Sequence, residues 1–88
     1  MREMTDMELK KGSVVRSKAG RDKGKLMAVV ATENRAVLLC DGKERRLEQP
    51  KRTNLLHIAP TKTVLEDSRL STNHSLKKAL AEIEKECI

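Results

Sequence analysis

The chain has 88 residues, 36% of them charged, with a formal net charge of +6 and no Phe, Tyr or Trp. That length allows one small domain built on Val, Leu, Ile, Met and Ala, and no apolar run approaches the roughly 18 residues that a membrane span requires. The polar N-terminus MREMTDMELK is read as carrying no secretory signal.

In chain order, residues 1–9 read as a flexible N-terminal segment with a net charge of −2. Residues 13–17 (SVVRS) form the first expected strand, on β-branched Val14 and Val15. Residues 18–24 (KAGRDKG) read as a loop with glycines at Gly20 and Gly24. Residues 25–32 (KLMAVVAT) read as a strand that is apolar on both faces, followed by a tight turn at Glu33, Asn34 and Arg35. Residues 36–40 (AVLLC) form a third strand, and Asp41 with Gly42 is the strongest short hairpin signal. A return strand is expected over residues 44–48 (ERRLE), ended by Pro50, and a fifth over 54–59 (NLLHIA), stopped by Pro60. Five short strands with little room for helices between them predict a small antiparallel barrel or sandwich over residues 10–60.

Residues 61–72 then read as an irregular linker. Leu76, Ala79, Leu80 and Ile83 repeat at helical spacing and predict a C-terminal helix over 73–88 that docks this stripe on the barrel, with Thr72 or Asn73 as its N-cap.

Residues 10–62 carry a net charge of +9 and residues 63–88 carry −1, so the basic excess lies in one central block. Such a block favours a polyanionic partner. Cys40 and Cys87 form no C-x-x-C pair, and His57 and His74 complete no zinc spacing. Cys40, at the end of an apolar run, reads as a reduced buried thiol, which fits a cytoplasmic protein. No nucleophile signature is present, and AGRDKGK lacks the Walker spacing, so neither an enzyme nor a cofactor is expected.

The stretch KAGRDKGK sets Lys18, Arg21, Lys23 and Lys25 around two glycines, four cations in eight residues. A tight loop that projects cations and exposes backbone amides suits phosphate contacts. Arg45 and Arg46 on the return strand are its expected neighbours, and Gly24, Lys51 and Arg52 complete the candidate set.

The stretch from Gly12 through Val15, Gly20 and Gly24 to Lys25 resembles the KOW motif, with its leading glycine, a valine three positions on and a basic G-x-x-x-G loop. Beyond it, Arg45 and Arg46, the segment NLLHIAP over 54–60 and LKKAL over 76–80 are similar to archaeal and eukaryotic large-subunit ribosomal proteins of the fourteen-e family, in order and spacing over residues 12–86. The resemblance implies a mainly β fold, a small five-stranded SH3-like barrel followed by a C-terminal helix. It also implies binding to structured RNA, most readily ribosomal RNA in the large subunit. The alternative is a protein-interaction KOW module of a transcription or translation accessory factor. Absence of aromatics excludes base stacking on Phe, Tyr or Trp and a methyl-lysine cage. Recognition is therefore expected through phosphates and 2′-hydroxyls, with arginine planes as the base-stacking option.

Overall fold

Alternation of side chains along three neighbouring strands sets the architecture. The computed structural model describes residues 9–18 and 20–86. The flexible segment expected over 1–9 therefore lies outside the described residues except for Leu9, and residues 87 and 88 of the expected helix also lie outside them.

Strand β1 (Ser13–Ser17), β2 (Leu26–Glu33), β3 (Ala36–Cys40), β4 (Lys51–Asn54) and β5 (Ile58–Val64) form one antiparallel sheet in the order β4-β3-β2-β1-β5. Helix α1 (Asn73–Glu86) follows. In β1 and β2, Val14 is registered with Ala28 and Val15 with Met27. One face of the sheet buries Val15, Met27, Val29, Val37, Leu39 and Ile58, with Leu9 and Leu55 at its margin. The other buries Val14, Leu26, Ala28 and Cys40 beneath Leu70, Leu76 and Leu80. The doubly apolar reading of β2 is thus explained: its two rows of side chains enter two different cores. The helical stripe docks as expected, with Leu76 fully buried and Lys77 and Lys78 exposed.

The sheet is curled but not closed. Strands β4 and β5 are consecutive in the chain yet occupy opposite edges, and no ladder joins them. In a flat five-stranded sheet those edges would lie about 19 Å apart, at ~4.8 Å per strand. Their connection is the 3-10 turn Leu55–His57, and three such residues rise only about 6 Å. The sheet must bend to bring its edges together at that end. A bulge in β2 at Val30, where the register with β3 shifts, adds to the twist. A second irregularity separates the pairings of Ser13 and Val15 with β5, and there the Thr61 hydroxyl donates to the Val14 carbonyl at 2.7 Å.

Several sequence expectations are corrected. Residues 44–48 are not a return strand. The Asp41 carboxylate accepts the amides of Lys43 and Arg45, both at 2.9 Å, and the Arg45 carbonyl accepts those of Asp41 and Gly42. Cys40 Sγ then donates to the Arg46 carbonyl, and the Leu47 amide donates to Asn73 Oδ1 at 2.7 Å. These bonds commit the backbone groups that a ladder would need, so β4 starts only after Pro50. Residues 54–59 are not one strand, because Asn54 Oδ1 accepts the Leu56 amide at 2.8 Å and starts the 3-10 turn. Pro60 does not stop β5, which runs to Val64 along an edge where a missing N–H is tolerated. The expected linker is therefore strand to Val64 and a second 3-10 turn at Asp67–Leu70. Of the two candidate N-caps it is Thr72 that serves, its hydroxyl accepting the Ser75 amide at 3.1 Å.

Leu80 is 6% exposed and holds α1 to the outer core. Leu80→Ala is expected to lower the unfolding free energy by about 2–4 kcal/mol in urea titrations. A loss near zero would mean that the helix is not docked on the sheet.

Candidate nucleic-acid interface

The basic loop is a closed structure with a 3-10 turn, Gly20–Asp22, at its centre. Its base is pinned by two bonds, from the Ser17 amide to the Lys25 carbonyl at 3.0 Å and from the Gly24 amide to the Ser17 carbonyl at 2.8 Å. Gly24 has φ +87, a conformation that an L-residue adopts only under strain, although a Cβ there would meet nothing within 4 Å. Backbone conformation, not crowding, accounts for the glycine.

The amides of Lys18, Lys23, Gly24 and Lys25 all donate to carbonyls, that of Lys18 to His57 at 2.8 Å. The expectation of free amides for phosphate is corrected at these four positions; their contribution must come from side chains.

Asp22 organises those side chains. It is 1% exposed. Its Oδ2 accepts from Lys51 Nζ at 3.0 Å and from Arg45 Nε at 3.3 Å, and Lys25 Nζ stands 3.8 Å from Oδ1. Lys25 also donates to Glu44 at 2.9 Å. Burial by itself would raise the Asp22 carboxyl, but the hydrogen bond and charge of Lys51, then the charge of Arg45, outweigh it and hold the group below 3.8. In the sequence this residue looks like an ordinary loop acid. The available signal is its isolation, one carboxylate inside a run of cations between two glycines.

The predicted set thus divides. Lys25, Arg45 and Lys51 converge on Asp22. Arg52 leaves this cluster for Glu33 at 2.6 Å, and Arg46 lies 3.9 Å from Glu48. Lys18, Arg21 and Lys23 are exposed and make no side-chain ion pair among the described residues. Arg16, outside the predicted set, braces the loop by donating to the Gly24 carbonyl at 2.6 Å while standing 3.6 Å from Glu84 of α1.

Among the described residues no group of His, Cys, Asp and Glu could hold a metal ion, and no helix is long and apolar enough to cross a membrane. Burial, and then the charges of Asp41 and Glu48, push the Cys40 thiol up to about 11, so at neutral pH it is not a nucleophile. Comparison with protein-family models gives no match, and neither does comparison with curated proteins.

Asp22→Asn would leave Arg45 and Lys51 without their counter-charge. Because both cations are about one-third exposed, the expected loss is moderate, about 1–3 kcal/mol at neutral pH. Since the folded carboxyl lies below its ordinary value, the stabilisation is complete above about pH 4 and disappears as pH falls through the depressed value. Urea titrations of the two proteins should therefore differ at pH 7 and converge at acid pH. A gap that is independent of pH would exclude the carboxylate charge as its cause.

Proposed function

We propose that this is a non-catalytic RNA-binding protein of the ribosomal KOW type, whose curled sheet is an SH3-like barrel and whose basic loop contacts phosphates of structured RNA. The most fitting partner is ribosomal RNA in the large subunit, met in the cytoplasm. The observation that carries this reading is the trio Lys18, Arg21 and Lys23, three exposed cations with no side-chain ion pair among the described residues, on a loop braced by Lys51 of β4, the His57 carbonyl of the 3-10 turn and Arg16 of β1. Lys25, Arg45, Arg46, Lys51 and Arg52 are instead matched by Asp22, Glu33, Glu44 or Glu48. Unmatched cations on a rigid loop keep their full attraction for phosphate and lose little freedom on binding. The KOW resemblance supports the same reading, with Gly20 and Gly24 in the loop and the NLLHIAP segment on the turn and strand beside it.

A protein-interaction module is the second reading. It is favoured by Leu56 and Val64, large apolar side chains that are 79% and 48% exposed. Salt separates the two, because phosphate binding weakens steeply as salt rises while apolar docking does not.

Arg21→Glu combined with Lys23→Glu is expected to weaken binding to ribosomal RNA by about 10–100-fold. The log–log salt slope should flatten by about 0.7–0.9 for each phosphate that the variant no longer neutralises. The charge-matched control is Lys62→Glu with Lys78→Glu, on β5 beyond Pro60 and on the outer face of α1. Equal weakening in both double variants would reduce the effect to net charge and remove the loop as the interface.

A further inference from the structure

Where β4 and β5 fail to pair, a cleft of about 420 Å³ opens beside the basic loop, lined by Gly20, Lys51, Arg52, Asn54 and His57 among others. Its volume lies in the range of small-ligand sites. Its chemistry is not that of a phosphate site alone. Lys51 and Arg52 line its β4 side, already paired with Asp22 and Glu33. Opposite them the 3-10 turn presents the exposed imidazole of His57, with Leu56 next to it 79% exposed. Asn54 Oδ1 is committed to the Leu56 amide, which leaves its Nδ2 as a donor with no partner among the described residues. The His57 ring makes no hydrogen bond or ion pair there either, while its backbone carbonyl is fixed by the Lys18 amide of the basic loop.

A flat ring and an amide donor side by side fit a nucleobase: the ring meets the π-face and the amide meets an acceptor on the base edge. In a continuous duplex both faces of a base are covered by its neighbours, so the occupant must be unstacked already or extruded at an energetic cost. We propose that this cleft is a subsite for one unpaired nucleotide of a folded RNA, with His57 as its stacking platform and the Asn54 amide as its base-edge donor. The subsite rests on the RNA reading above. It adds to phosphate binding by the loop a preference for bulged or looped RNA, in a chain that has no Phe, Tyr or Trp to stack on.

The test uses two RNA hairpins that are identical except for a single bulged nucleotide, with dissociation constants read by fluorescence anisotropy. The wild-type protein should bind the bulged hairpin about 5–150-fold more tightly, the range that base–ring stacking supplies. His57→Ala should remove that preference while leaving affinity for the fully paired hairpin in place, and His57→Tyr should restore it. Arg21→Glu with Lys23→Glu should weaken both hairpins by the same factor and leave the preference intact. Equal binding of the two hairpins by the wild type, or a preference that survives His57→Ala, overturns the subsite alone. Failure of the wild type to bind either hairpin overturns the RNA reading and the subsite with it. His57 is exposed, so its variants should fold, and amide NMR spectra confirm that they do.

Discussion

Met27 and Val29 on one side of β2, and Leu26 and Ala28 on the other, must all leave water. A sheet that is apolar on both faces needs two covers, and a chain of this size can make only one of them from a helix. Helix α1 and Leu70 cover the outer face. The inner face is covered by the sheet itself, which bends until Val37 and Leu39 of β3 meet Ile58 of β5. Lacking aromatic rings, the protein builds both thin cores from branched aliphatic side chains and Met27, and residues as small as Ala28 and Cys40 let the helix approach closely.

The same bending determines the electrostatics. It carries β4 round to the loop that follows β1, so that Lys51 and Arg45 reach Asp22, more than twenty positions away in sequence. An internal carboxylate then acts as a fixed counter-ion. It draws part of the basic block inward, where charge is matched, and leaves Lys18, Arg21 and Lys23 exposed to solvent. Net charge is therefore a poor measure of the attraction this surface exerts. What matters is which cations the fold has already paired, and around the basic loop that depends on where acids such as Asp22, Glu33, Glu44, Glu48 and Glu84 come to lie.

Much of the fold is legible in residue patterns. Strands β1 and β3 and the docked stripe of α1 follow from local periodicity, which needs no partner to be read. Two of the failures, at residues 44–48 and 54–59, share one cause, side chains that satisfy backbone groups in place of a ladder. Asp41 and Asn73 do so for residues 43–47, and Asn54 does so for the turn before β5. The Asn73 bond spans 26 positions and depends on tertiary placement, whereas the Asp41 and Asn54 bonds are local and compete with the strand at short range. The candidate site is legible as a density of cations around glycines. Its division into paired and free members is not, because pairing is decided across the sheet. His57 is hidden for a related reason. In sequence it stands inside an apolar run, and only the turn initiated by Asn54 brings it to the surface.

An unclosed sheet offers two rows of unused backbone groups to any other extended chain, the usual route to domain exchange and fibrous assembly. Here each row defends itself by a different means. Strand β4 has only four residues, and two of them, Lys51 and Arg52, are cationic, so a second copy aligned along it would meet like charge. Strand β5 carries Pro60, which has no N–H to offer, and Lys62, and its ladder with β1 is already broken by a shift of register. The residues on the two open edges thus disfavour pairing with a second copy along either row.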